Sequence, residues 1–268
     1  MQGTFGRGYS QISRIYTTTL ELVYEQHRSL VCDNLVCYSR VFDRYNGSIN
    51  SKIALSEFKI PPHGIPGMVP GDLCDVFGFV DGVFQTNARP GNDYQNAMWN
   101  EYYHAHGLLY LGISFLDGMA LVEIPNPGYY TDVMQWNETS FRHDLNIIMN
   151  QCAATFRRRL KLYGDRIFNS DNILTGAYCR RNGPLQPFMT VYNAIMSPIR
   201  VGAEWSFGKI AARNSMIDFT AFKRDSDCED IYCLCRTITN CHTCLYGSQH
   251  TSYFEIAPPT LIRYMRQV

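Results

Sequence analysis

The chain has 268 residues, 46% hydrophobic and 18% charged, with 24 basic residues set against 24 acidic ones. That composition is globular and sets aside disorder. A formal charge of zero removes any long-range pull of the whole molecule on a polyanion, so nucleic-acid contact would have to come from a local patch. No run approaches the length of a membrane span, and Met1 to Gly8 lack the charged-then-apolar pattern of an export signal. The expectation is a soluble intracellular protein whose ten cysteines are reduced.

From Tyr9 to about Val31, apolar residues at Ile12, Ile15, Tyr16, Leu20, Val23 and Tyr24 recur near helical spacing, with Ser10 placed as a cap. The stretch from Pro61 to Gly67, followed by Pro70-Gly71, is dense in turn formers. It marks a boundary between an N-terminal helical region, 1–60, and a larger domain, 72–265. Beyond it the pattern changes to strands. Val76 to Phe84 is an apolar run with one carboxylate, Asp81, in its middle. A buried charge is costly, so a strand has no ordinary use for that side chain. Leu108 to Phe115, a turn at Asp117-Gly118, and Met119 to Ile124 read as a β-hairpin, because Asp-Gly tolerates the positive φ of a tight turn. Asn126-Pro127-Gly128 then ends the sheet segment, and Asp132 is placed to cap a helix through Val133, Met134 and Trp136. More helix is predicted from Phe141 to about Ala154. A fourth strand, Leu160 to Tyr163, ends at Gly164-Asp165, and Ser197-Pro198 is predicted to open a helix carrying Glu204 two turns along. Three strands, helix, strand and helix predict an α/β fold with a mixed sheet.

Phosphoryl transfer by two metal ions needs several carboxylates from separate segments converging on cations about 4 Å apart, because Mg²⁺ prefers hard oxygen ligands. Asp81, Asp165 and Glu204 could meet if the first and fourth strands are neighbours and the later helix crosses them. Each acid also has a plain structural reading. Asp165 after Gly164 could be a turn residue or cap. Glu204 could be no more than an i,i+4 partner of Arg200.

Arg157-Arg158-Arg159 with Lys161, and Arg180-Arg181, could grip phosphates, serve nuclear import, or form a solvated face. Cys233, Cys235, Cys241 and Cys244 with His242 are spaced too closely for a usual zinc ribbon and read as small apolar residues on a helix. Val201, Trp205 and Gly208 fall at i, i+4 and i+7 and are predicted to form the packing face of the Glu204 helix.

Several segments, in shared order over about 72 to 265, resemble the DDE transposase domain of the PIF/Harbinger superfamily, including its domesticated nuclease-like relatives. They are Gly78 to Gly82, Arg89-Pro90-Gly91, His106-Gly107-Leu108, Tyr163-Gly164-Asp165, Tyr192-Asn193 with Met196-Ser197, Arg200 to Gly208, and Cys244 to Gly247. Tyr253-Phe254 to Pro258-Pro259-Thr260-Leu261 looks like the family's ending. The resemblance implies an RNase H-like mixed sheet flanked by helices, behind a short N-terminal piece that matches only the end of a helix-turn-helix region. It also implies catalytic, metal-binding roles for Asp81, Asp165 and Glu204. The family's additional acid matches Asp132, read as a helix cap that supports the ligands and as the replacement ligand should Asp165 fail. Arg157, Arg158, Arg159 and Arg200 are the candidate contacts to DNA phosphates. The implied chemistry is hydrolysis of DNA phosphodiesters and strand transfer with two Mg²⁺ ions, Mn²⁺ substituting. The implied setting is the nucleus, beside a separate Myb-like DNA-binding partner, with oligomerisation allowed and no membrane association.

The sequence also departs from the family pattern. Trp99 to His104 brings an acid and aromatics where basic residues are usual, and Arg166-Ile167-Phe168-Asn169 alters the loop after Asp165. Asn126 to Asp132 lacks the usual basic and His residues. The alternative is therefore an eroded or domesticated, non-enzymatic descendant that binds DNA or protein.

Overall fold

A computed structural model describes residues 6, 8–26, 35–56, 75–91, 94–156, 160–168, 170–180, 183–214, 217 and 228–266. The proline- and glycine-rich boundary at 61–71 and Arg157, Arg158 and Arg159 lie outside them.

The apolar run around Asp81 forms β1, Val76–Thr86, which is wholly buried up to Val80 and half-buried from Asp81 onward. After the short α4, Gln95–Met98, and β2, Trp99–Asn100, β3, Ala105–Ser114, runs back antiparallel to β1 with Asp81 opposite Gly112. The predicted hairpin follows. β4, Ala120–Val122, returns along β3, with Gly118 at φ +82° and the Phe115 carbonyl accepting from Gly118 N. Asn126 and Pro127 do not end the sheet but add β5, Asn126–Pro127, against Leu109 and Leu108 of β3. Proline is tolerated there because an edge position needs no ladder donor.

On the other side of β1 lies β6, Lys161–Gly164, in parallel, and beyond it β7, Leu174–Gly176, also parallel. The sheet order β2-β3-β1-β6-β7, with β4 and β5 on β3, is a curled mixed sheet flanked by helices. This is the RNase H-like arrangement that the resemblance implies.

On the N-terminal side are α1, Tyr9–Gln26, α2, Leu35–Ser39, and α3, Phe42–Ala54. α1 begins at Tyr9, so Ser10 lies inside its first turn rather than capping it. α2 and α3 share one buried core with the sheet: Phe42 packs on Phe77 with ring centroids 4.1 Å apart, and Tyr38 stacks on Phe115 at 4.6 Å. α5, Asp132–Glu138, and α6, Ser140–Phe156, follow β5.

α7, Pro187–Arg213, starts ten residues before the predicted Ser197-Pro198 opening, and Pro198 is internal to it. The start is set by Pro187 at the first position, where a missing N–H is no loss. The helix continues through Pro198, although that residue cannot donate to the carbonyl four residues earlier, because Ile195, Met196 and Ile199 bury their side chains in the core on either side. The predicted packing face is also shifted. Val201 is 41% exposed and Gly208 is exposed, whereas Ile199, Gly202, Ser206 and Ile210 turn inward.

α8, Cys228–Tyr246, is the helix predicted for the cysteine segment. Cys233 and Cys235 are buried in it as apolar residues, and burial pushes the Cys235 thiol up to about 12. α9, Gln249–Phe254, and α10, Leu261–Met265, complete the fold. Among the described residues no helix is long and apolar enough to cross a membrane.

Candidate active site

The parallel pairing of β1 and β6 sets Phe79 opposite Tyr163. Two residues further along the chain are Asp81, within β1, and Asp165, the residue just past the end of β6. Alternation returns both side chains to one face, and neighbouring strands are about 4.8 Å apart. The face is the one that α7 covers. A Cβ added at Gly112, the residue opposite Asp81, would land on the Phe207 ring of α7. Both carboxylates also fold onto the following backbone: Asp81 Oδ1 accepts from Gly82 N at 3.0 Å and Asp165 Oδ1 from Arg166 N at 2.7 Å.

Asp132 reaches the same point from the other side of β1. It does not cap α5. Thr131 does, its hydroxyl accepting from Met134 N at 3.3 Å. Asp132 is instead the first helical residue, and its carboxylate occupies the space a Cβ on Gly82 would fill. Threonine and aspartate are both good caps. What decides between them is this tertiary contact, which only a glycine at position 82 permits.

The three aspartates feel one another. Burial raises the Asp81 carboxyl to about 6, with the Arg200 guanidinium opposing and the charges of Asp132 and Asp165 adding. Asp132 is raised by burial and then by Asp165. The buried Tyr163 hydroxyl is raised by burial, with Arg200 opposing and Asp165 adding. Thus Asp81, near the middle of β1, feels the charges of Arg200, Asp132 and Asp165 together. Hard carboxylate oxygens that repel one another are the donor set a divalent cation suits.

Glu204 is on α7, as predicted, but is not among the groups that perturb these aspartates. Its side chain is 60% exposed and pairs with Arg200 across one helical turn at 3.4 Å. Arg200 therefore pairs with Glu204 while its charge also acts on Asp81. Among the described residues no three His, Cys, Asp or Glu side chains converge closely enough to hold an ion as they stand.

The turn between β2 and β3, where aromatics replace the usual basic residues, contributes Tyr103. Its hydroxyl is raised by burial and then by Asp132, Tyr102 and Asp81, and its ring stacks on Phe84, two residues along β1 from the Gly82 on which Asp132 rests. Sequence reading set Asp132 beside the ligands but missed both this neighbour and the contact of Asp132 with Gly82. One local signal pointed to the latter: a glycine directly after Asp81 in mid-strand, where glycine weakens the strand and marks a close approach.

A family model of DDE superfamily endonucleases matches residues 80–241, well over half of the chain and a span that contains Asp81, Asp132, Asp165 and Glu204. No curated protein and no solved structure matches the chain.

Proposed function

The chain belongs to the DDE superfamily endonuclease family, and on that premise we propose that it is a transposase-type nuclease of PIF/Harbinger descent acting on DNA phosphodiesters. The observation that carries this reading is the grouping of Asp81, Asp165 and Asp132 about one point of β1, with Asp81 raised to about 6 by burial, Arg200 opposing and the other two acids adding. In this reading Asp81, Asp165 and Glu204 hold two Mg²⁺ ions, or Mn²⁺ in their place, and Asp132 supports them or ligates directly. Bound ions would activate water or a 3′-hydroxyl and stabilise the leaving oxygen. The chain's own part is to hold the carboxylates ionised against burial, with Arg200 supplying positive charge beside Asp81 and Tyr163. Arg200, and the Arg157 to Arg159 run, are the proposed phosphate contacts. Nuclear action beside a separate Myb-like DNA-binding partner belongs to the same reading, and suits a chain with no net charge.

The test is Mg²⁺- or Mn²⁺-dependent nicking of supercoiled DNA by the full chain, abolished in Asp81→Ala. Nicking that survives this substitution, or that ignores chelation of the metal, would refute the assignment. A second reading, a non-enzymatic descendant that binds DNA or protein, draws on the pairing of Glu204 with Arg200. It predicts salt-sensitive DNA binding with no metal-dependent nicking.

A further inference from the structure

Gly82 and Phe84 lie two residues apart and so on one side of β1, about 7 Å from each other. The Asp132 carboxylate rests on Gly82. Next to it Tyr103 lies flat on Phe84, with ring centroids 4.5 Å apart and planes 3° from parallel. Tyr102 meets Tyr103 edge-on at 4.9 Å. Both tyrosines face water, Tyr103 49% and Tyr102 84% exposed. Their turn is nonetheless firmly held. The buried Asn100 accepts from Tyr102 N at 2.9 Å and Tyr103 N at 3.1 Å, and donates to the Gly128 carbonyl at 2.6 Å. His104 closes the turn in the left-handed region, at φ 50°, a conformation disfavoured for any residue with a Cβ.

A rigid turn that presents two water-exposed tyrosines beside acids selects its ligand by charge. Asp132, on the same side of β1 as Tyr103, repels any second phosphate there, while a neutral, flat group is accepted. In a DNA strand whose phosphodiester is at the aspartates, the neutral flat group within reach is the adjoining base. We propose that Tyr103, backed by Phe84 and flanked by Tyr102, is a stacking platform for that base, so that the site takes DNA with an unpaired or extruded nucleotide at the point of cleavage. This rests on the nuclease reading above. Stacking of this kind tolerates any base, because every base has a π-face.

The experiment uses the full chain with Ca²⁺ in place of Mg²⁺ and oligonucleotides carrying 2-aminopurine beside the cut position, either unpaired or fully paired. The wild type and Tyr103→Phe are expected to quench the fluorescence of the unpaired probe, and Tyr103→Leu to lose the quenching and bind that probe roughly tenfold more weakly. Tyr102→Ala, at a side chain with little packing to lose, is expected to weaken binding by about threefold. Equal quenching by wild type and Tyr103→Leu, no quenching by either, or a preference for the paired probe overturns the platform. Metal-dependent nicking is scored on the same preparations. If it is absent while quenching follows Tyr103, the nuclease reading fails and the platform stands; if it is present while quenching ignores Tyr103, the reverse holds.

Discussion

Asp81→Asn should stabilise the metal-free protein in a pH-dependent way. The Asp81 carboxyl moves from 3.8 to about 6 on folding, chiefly through burial. A pKa raised by folding means the folded state takes up a proton between those values. The stabilisation from that proton is complete below the unfolded value and lost as pH rises through 6. With about 1.4 kcal/mol per pH unit, ionised Asp81 at pH 8 costs the fold up to about 3 kcal/mol relative to a neutral carboxyl. Asparagine keeps the oxygen that accepts from Gly82 N and removes the charge. That figure is already net of the attraction to Arg200, and about 1 kcal/mol of it remains at pH 4.5; a pH-independent allowance of about 1 kcal/mol for burying an amide in place of the neutral acid leaves a gain of about 2 kcal/mol at pH 8 and almost none at pH 4.5. The assay is urea denaturation in chelator at both pH values. A gain of the same size at both would show that the substitution acts through packing or the unfolded chain. A loss at pH 8 would show that Arg200 already outweighs burial and the neighbouring acids, and the electrostatic account of the site would fail.

Two further outcomes follow from the same geometry. Gly82→Ala places a Cβ on the Asp132 carboxylate and should destabilise the protein by about 1–3 kcal/mol, as overpacking does, while cutting metal-dependent nicking more than tenfold in the folded fraction; unchanged melting and nicking would mean that Asp132 does not rest there. Glu204→Gln removes an exposed i,i+4 pair worth at most about 0.5 kcal/mol, so melting should barely move while nicking falls at least roughly a hundredfold if the residue holds metal; full activity would exclude Glu204 from the site.

The parts of the site that local chemistry dictates were legible in the sequence. Asp81 stood out because a charge in an apolar run needs a reason. Asp165 was placed at a strand end by Gly164 and the short apolar run before it. The hairpin was announced by Asp117-Gly118, whose glycine takes φ +82°. The rest was set by contacts distant in sequence. Nothing in the residues of β1 or β6 states that they pair, yet their register is what sets Asp81 level with Asp165. Thr131 and Asp132 are equivalent as caps until Gly82 is opposite. Pro198 looked like a helix start because serine precedes it, and only the burial of Ile195, Met196 and Ile199 shows why the helix runs through it. β7 has three residues, too few for any periodicity, and exists because β6 offers it an edge.

The neutral charge of the chain finally bears on how such a site could hold DNA. Proteins that grip the backbone with many lysines and arginines draw most of their affinity from counterion release, which a chain with 24 cations balanced by 24 anions cannot do over a broad surface. Around the acids the balance is worse, since Arg200 is shared between Glu204 and Asp81. Beside the phosphate contacts proposed for Arg200 and Arg157 to Arg159, the proposed site supplies binding that does not depend on net charge: a metal bridge from carboxylate to phosphate, and the stacking surface of Tyr103. On the proposed reading these two features are complementary. The same carboxylates that need a cation to accept a phosphate turn a second phosphate away from the tyrosines, leaving that space to a base.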